Sequence, residues 1–292
     1  MTATRGASAV AVLVTLAAGP SMAGSLPQQN PTFSSRVDAV RVDVLVTEDG
    51  QIVEGLEAAD FEVFDNGVAQ VVELASFAEL PLNVVLALDM SDSVAGSRLR
   101  NLRNASRALL SGLLPEDQAA LVTFSHGVSL GANLTTDLDQ IRSALDDAAA
   151  FGDTALVDAS FAGIVVGESD VARSLLIVFS DGLDTSSFLQ PDGVLDIARR
   201  TDTVVYSVAA GPSQRAGFLG QLSALTGGTL LEVGTNADLT AQFLQILEEF
   251  RQRYLISYSP RGVDIDGWHE LEVRVRNRDA VVRARPGYLG GS

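Results

Sequence analysis

Three short stretches of this chain hold residues that could do chemistry together. Leu86-Ala-Leu-Asp-Met-Ser-Asp-Ser93 sets one carboxylate, Asp89, and two hydroxyls, Ser91 and Ser93, at the end of a strongly apolar run. Phe151-Gly-Asp-Thr-Ala-Leu-Val157 puts Thr154 in a glycine-containing loop ahead of an apolar helical pattern. Arg173-Ser-Leu-Leu-Ile-Val-Phe-Ser-Asp-Gly182 is a second apolar run that ends in an acid, Asp181. Every donor is oxygen, a set that suits a hard divalent cation such as Mg²⁺, with Mn²⁺ or Ca²⁺ as alternatives.

The elements around these residues must bring them to one place. Asn83–Leu88 has the unbroken apolar pattern of a strand buried on both faces, as in a parallel sheet, and Arg173–Ser180 has the same pattern. In open α/β sheets ligands bind at the carboxyl ends of the strands. With strands and helices alternating, all three stretches emerge on the same edge. The order D-x-S-x-S, then a Thr loop, then a strand-terminal Asp, resembles the metal-ion-dependent adhesion site of the von Willebrand factor type A (VWA) family. The resemblance implies that Asp89, Ser91, Ser93, Thr154 and Asp181 hold Mg²⁺ directly or through water. It also implies an open position that a partner protein fills with an Asp or Glu carboxylate. Because Mg²⁺ gives up water reluctantly, that incoming carboxylate would be the binding event.

Two positions depart from the pattern. The residue between the two serines is often Gly in the family and is Asp92 here. Asp153 precedes Thr154. Both add negative charge, which favours a cation and disfavours an acidic partner.

Other chemistries are weighed on the same residues. Ser91, Ser93 and Asp89 could simply cap a helix. A phosphatase-like D-x-D site lacks its second acid, since position 91 is Ser. Gly127-Val-Ser-Leu-Gly131 matches the G-x-S-x-G nucleophile elbow, with Ser129 as nucleophile and His269 later in the chain. The elbow requires a strand that ends at the serine, but Val128, Leu130, Ala132 and Leu134 alternate straight through it. His126 is expected in an exposed turn and His269 at the start of a surface strand. A structural module whose metal serves stability alone is the other class in play.

Composition narrows the field. The chain has 292 residues and a formal net charge of −17, and all 20 basic residues are Arg. The acidity argues against nucleic acid or an anionic membrane surface as partner. The absence of Lys removes Schiff-base and P-loop chemistry, and zero Cys removes disulfides, thiolate zinc sites and thiol nucleophiles. Arg5, the apolar Ala7–Ala18 and Ser21-Met-Ala23 have the form of a secretory signal cleaved after Ala23. Residues 1–23 are therefore read as signal and 24–35 as a flexible leader. The mature protein is expected to be secreted or periplasmic, with no membrane insertion after cleavage.

The remaining pattern gives the architecture. In residues 36–79 Val40, Val42, Val44 and Val46 alternate with Arg41, Asp43 and Leu45 as in a half-buried strand. Phe61–Phe64 is a second strand, and Asn66-Gly67 a hairpin turn before a strand over 68–77. Residues 80–253 alternate strands (83–88, 119–124, 128–134, 174–180, 203–209, 229–233) with helices (97–113, 137–148, 154–166, 192–200, 215–225, 237–251). Residues 254–288 return to strands at 254–259, 269–276 and 280–285. Neither flank can bury much apolar surface alone. The fold class expected is α/β, a doubly wound, mostly parallel sheet inserted in a small all-β domain, a β-sandwich formed by both flanks. Val42–Gly50, Ala59–Gly67 and Val282-Arg-Ala-Arg-Pro-Gly-Tyr288 resemble a bacterial family of secreted VWA-related proteins, over roughly residues 36–288. The resemblance implies a metal-dependent, non-enzymatic protein-binding module. Only Arg251-Gln-Arg253 separates the last helix from the next strand, so that joint either transmits helix movement or is rigid.

Overall fold

The computed structural model describes residues 39–77, 80–168, 172–181, 183–210, 217–234 and 238–291. The expected signal and leader, 1–35, lie outside the described residues. In chain order the strands of the N-terminal flank are β1 (Val40–Glu48), β2 (Gln51–Ile52), β3 (Phe61–Asp65), β4 (Val68–Gln70) and β5 (Leu74–Phe77). Then come β6 (Leu82–Asp89), α1 (Ser97–Ser111), β7 (Gln118–Phe124), β8 (Val128–Thr135), α2 (Leu138–Asp147), α3 (Leu156–Gly167) and β9 (Arg173–Ser180). The α/β region continues with α4 (Pro191–Ala198), β10 (Val204–Ala209), α5 (Gly217–Leu225), β11 (Leu230–Glu232) and α6 (Leu239–Arg251). The C-terminal flank gives β12 (Tyr254–Tyr258), β13 (Gly267–Val275), β14 (Val281–Arg283) and β15 (Gly287–Gly290).

The central sheet has the order β11-β10-β9-β6-β7-β8. β6 pairs in parallel with both β7 and β9, and only β8 runs antiparallel. Every residue of β6 and of β9 is buried, because helices cover both faces. Leu82, Val84, Leu86 and Leu88 of β6 pack with α1 and α6 through Leu102, Leu109, Phe243, Ile246 and Phe250. Val85 and Ala87 pack on the other side with Leu156, Val157 and Ile164 of α3, joined by Val194, Leu195, Leu219 and Leu222 of α4 and α5. This is the α/β class that the alternation predicts.

The flanking strands form two sheets, β14-β1-β12-β5 with β2 beside β1, and β15-β13-β3-β4. Each sheet mixes strands from both ends of the chain, and they share one apolar core that includes Val42, Val44, Phe61, Val63, Tyr254, Ile256 and Leu271. Asn66 and Gly67 both take positive φ, 47° and 78°, the type I′ geometry that the Asn-Gly pair favours. The expected single strand over 68–77 is instead two. β4 pairs with β3 in one sheet and β5 with β12 in the other. Between them Gln70 closes a local ring, its Nε2 donating to Arg261 O at 3.0 Å and its Oε1 accepting from Arg261 N–H at 2.9 Å. β15 escapes the alternation pattern because it is built on glycine. A Cβ on Gly287 would meet His269 O at 2.2 Å.

β1 is not half-buried. Asp43 and Leu45, expected outside, are 8% and 4% exposed. The outer face of β1 carries Asp43 against Arg173, the first residue of β9. Arg173 Nε donates to Asp43 Oδ1 at 2.7 Å, its Nη2 makes a further short contact to the same oxygen, and Nη2 also donates to Phe250 O at 3.0 Å. Further arginines clamp the junction. Arg251 Nη2 pairs with Asp117 Oδ2 at 2.6 Å, and the fully buried Arg253 donates to Tyr206 OH and Gly227 O at 2.9 and 2.7 Å. Arg285 donates to Thr201 O and Arg41 O at 3.1 and 2.6 Å. The joint after α6 is thus held on both sides, which favours the rigid alternative.

His269 is not on the surface. It is 1% exposed and donates from Nδ1 to Asp65 Oδ1 at 2.7 Å, with its ring stacked on Tyr288 at 4.4 Å. Tyr258 and Tyr288 each donate to Asp65 Oδ2 at 2.9 Å. A buried carboxylate needs such partners, and the sequence offers no local sign that residues 65, 258, 269 and 288 meet. Burial, reinforced by Asp65, holds both phenols protonated far above their usual range.

Two outcomes are expected. Asp43→Ala leaves Arg173 buried without its carboxylate, so denaturant unfolding should show a loss of about 3 kcal/mol. Pairing it with Arg173→Met should recover much of that loss. The fragment 24–79 should be unfolded by NMR, since β5 pairs only with β12 and the core of β1 and β3 is completed from the C-terminal flank. A dispersed spectrum would contradict the composite core.

Candidate functional site

Asp89 closes β6 at the carboxyl edge of the central sheet and is fully buried. Its Oδ1 accepts from Ser91 N–H at 2.8 Å and its Oδ2 from Ser180 Oγ at 2.7 Å. Burial raises its pKa above the usual carboxylate range. The bonds from Ser91 and Ser180 oppose the rise, and the charge of Asp181 adds to it.

The two serines do not spend their hydroxyls on capping. Ser91 sits at the N-cap of a 3₁₀ turn, Asp92–Val94, without a side-chain cap bond, and the N-cap of α1 is Gly96. Instead Ser91 Oγ and Ser93 Oγ lie 2.9 Å apart, hydrogen-bonded to each other. Ser91 is buried and Ser93 exposed. The capping alternative therefore loses its hydroxyls, although Asp89 does bond the local backbone.

Backbone hydrogen bonds tie the three loops together. Asp92 N–H donates to Gly152 O at 3.0 Å and Phe151 N–H to Met90 O at 2.8 Å, joining the first loop to the loop of Thr154. That loop in turn meets the one after β9. Thr185 and Ser186 N–H donate to Thr154 O at 2.9 and 3.2 Å, and Thr154 N–H donates to Thr185 Oγ1 at 3.0 Å. Thr154 is buried and Asp181 half-buried. Asp92 and Asp153 are both exposed, on the two loops joined through Gly152.

Some of the oxygens here were not singled out from sequence. Ser180, beside Asp181, faces Asp89 directly. Its place as the last residue of a strand adjacent to β6 was the available signal. Ser186 Oγ is buried and has no hydrogen-bond partner among the described residues. Among the described residues no cluster of three or more His, Asp or Glu side chains forms a ligand set. The Asp89 carboxylate is held by Ser91 N–H and Ser180 Oγ, at an edge whose three loops are tied together by backbone bonds.

The nucleophile elbow is absent. Ser129 is the second residue of β8, which runs unbroken from Val128 to Thr135, and it is exposed on the strand. His269 lies in the flanking β-sandwich, bound to Asp65. His126 is exposed, as expected.

The sequence model of the family described as von Willebrand factor type A domain matches residues 84–183. Among curated proteins the chain is similar to inter-alpha-trypsin inhibitor heavy chain H4 of Homo sapiens, 25% identical over 58% of this chain and 20% of that protein. It is also similar to inter-alpha-trypsin inhibitor heavy chain H2 of Sus scrofa, 22% identical over 92% of this chain and 29% of that protein. The chain spans between 20% and 41% of the length of the curated relatives it matches. Among solved structures, the conserved hypothetical protein BatB from Bacteroides thetaiotaomicron aligns with TM-score 0.49 and 16% identity, covering 57% of this chain and 98% of that one. The vWF domain of the type V pili tip protein Mfa5 from Porphyromonas gingivalis aligns with TM-score 0.49 and 14% identity, covering 58% and 94%. Residues 84–183, with Asp89 and Asp181 near their two limits and within the parallel sheet wrapped by helices, are thus the part of the chain that matches the von Willebrand factor type A domain.

Proposed function

We propose that this chain is an exported, non-enzymatic protein-binding module. In this reading Asp89, Ser91, Ser93, Thr154 and Asp181 hold a divalent cation, Mg²⁺ in the first instance. The observation that carries it is the knot of three loops around Asp89, in which two serine hydroxyls sit 2.9 Å apart and cap no helix. Bound there, Mg²⁺ would supply an open coordination position for an Asp or Glu carboxylate of the partner.

The donor chemistry fits a hard cation. All candidate ligands are carboxylate or hydroxyl oxygens. Asp89 is buried beside a second acid, and its raised pKa records the cost of that charge in the metal-free protein. A cation turns the same cost into attraction. The loops are fixed by their own backbone bonds, so little ordering is needed when a ligand arrives. We take the inserted domain as 80–253, with 36–79 and 254–288 as the flanks that hold it. Secretion or periplasmic location rests on the pattern of residues 1–23. No helix among the described residues is long and apolar enough to cross a membrane.

The second reading is a module whose metal serves stability alone. The exposed carboxylates of Asp92 and Asp153 favour it, because they repel an acidic partner. The two readings agree on the metal and differ on the ligand.

Asp89→Asn separates them from no metal at all. Asn can accept from Ser91 N–H and donate to Ser180 Oγ, so the fold should hold. Removing a buried charge with a raised pKa should leave the metal-free variant at least as stable as the parent near neutral pH. Mg²⁺ at about 100 times its Kd should stabilise the parent by about 2.7 kcal/mol and leave Asp89→Asn unchanged. An equal thermal shift in both proteins would remove this metal assignment. Binding of Asp-containing peptides in Mg²⁺ but not in chelator is the outcome expected of the binding module. Metal-induced stabilisation without any peptide binding would leave the stability role.

A further inference from the structure

A cavity of about 350 Å³ adjoins the proposed carboxylate site. It runs from Met90, the residue after Asp89, past Ser125 and His126 to Val128 and Ser129 of β8, with Ala149 and Phe151 on the opposite wall. Its volume lies within the range of about 300–1,000 Å³ usual for binding pockets. The walls are firm. Met90 N–H donates to Phe124 O at 2.6 Å and Phe151 N–H donates to Met90 O at 2.8 Å, so both sides are fastened to the same strand end. The Phe151 ring leans on the His126 ring at 5.2 Å and is 52% exposed.

Charge decides what this cavity can accept. The chain has a net charge of −17, so most of its surface repels an acidic partner. None of the residues lining the cavity is Asp or Glu. An acidic segment that approaches the Asp89 edge therefore meets a carboxylate-free cavity on this side, with Met90, Phe124, Val128 and Phe151 among its walls. Beyond it lies β8, the edge strand of the sheet, whose eight residues Val128–Thr135 carry no charge. Natural sheet edges are usually guarded by charge or proline; this one exposes Val128 and Leu130 at 38% and 47%.

We propose that this cavity takes a large apolar side chain, aromatic or aliphatic, from the same extended partner segment whose carboxylate goes to the Asp89 site. The segment is a peptide with an acid and an apolar residue at a fixed offset, and its main chain leaves along the uncharged edge of β8. The acid supplies attraction to the metal, and the apolar residue supplies the specificity that a lone carboxylate cannot. This inference rests on the metal-dependent reading above.

The test uses the full chain and an array of short peptides, each with one Asp and one position varied among Ala, Leu, Phe and Lys at every offset. The parent in Mg²⁺ should prefer Phe or Leu at one offset over Ala by about tenfold, the scale of one buried apolar anchor. Ala149→Trp, at an exposed position, puts an indole over the cavity. Ser129→Trp does so from β8. Each should abolish the offset preference while keeping the Asp requirement and the Mg²⁺ thermal shift, which shows that fold and metal site are intact. Asp89→Asn should lose the Asp requirement itself. Asp-dependent binding with no offset preference in the parent, or a preference that survives both Trp variants, overturns the cavity proposal and leaves the metal reading standing. If no peptide binds more tightly in Mg²⁺ than in chelator, the cavity proposal and the protein-binding reading both fall, and the Mg²⁺ thermal shift alone decides the metal. Self-association in sedimentation that Ala149→Trp abolishes would assign the cavity to a second copy of this chain and overturn the peptide.

Discussion

The ion pair between Arg173 and Asp43 is the contact on which the arrangement of this molecule turns. A guanidinium stays charged at any ordinary pH, so its burial at 2% exposure requires a carboxylate beside it. That carboxylate comes from β1, while the guanidinium starts β9 and also binds the last turn of α6. Three elements far apart in the chain thereby meet at one point. The same strand, β9, ends in Ser180 and Asp181 on the opposite edge of the sheet. The sandwich grips one end of the strand whose other end faces Asp89. With every basic residue an Arg, the junction is made throughout by forked donors that bind several oxygens at once.

At the other edge the sheet solves a different problem. From Val84 to Leu88 β6 is apolar, and it then carries a carboxylate into full burial. Hydrogen bonds from Ser91 N–H and Ser180 Oγ satisfy that group without neutralising it. The hydroxyl pair of Ser91 and Ser93 follows it in the same loop, and the loop of Thr154 is tied to that loop through Gly152 and Phe151. Burial of the Asp89 charge has a cost, which the two hydrogen bonds offset in part. The neighbouring cavity differs in carrying no carboxylate, with Met90, Phe124, Val128 and Phe151 among its walls.

Much of this was legible in the chain. Uninterrupted apolar runs gave β6 and β9, and period-two alternation gave β8 and so disposed of Ser129 as a nucleophile. The spacing of Asp89, Ser91 and Ser93 marked the candidate site because Thr154 and Asp181 follow it in the order of the metal-ion-dependent adhesion site that it resembles. What stayed hidden depends on contacts across long sequence distances. Asp43 reads as a solvent-facing residue until Arg173 arrives 130 positions later. Asp65 and His269 are 204 positions apart and show no local pattern. The split of 68–77 into two strands follows from the need to cross between sheets, which residue preference does not encode. β15 is half glycine, and glycine has no strand preference to detect.

The inserted domain leaves the sandwich after β5 and returns at β12, and Phe77 and Tyr254 are cross-strand partners. Entry and exit are therefore neighbours in one sheet. Tension applied across the sandwich, between β1 and β15, reaches the α/β region from both ends, through Asp43 on Arg173 and through Leu289 N–H on Arg199 O at 2.9 Å. A pull that arrives at the Asp89 edge runs down β9 to the same Arg173, which also holds the last turn of α6. The frame and the domain it holds thus share one load path, and a force on either bears on the Arg173 contact.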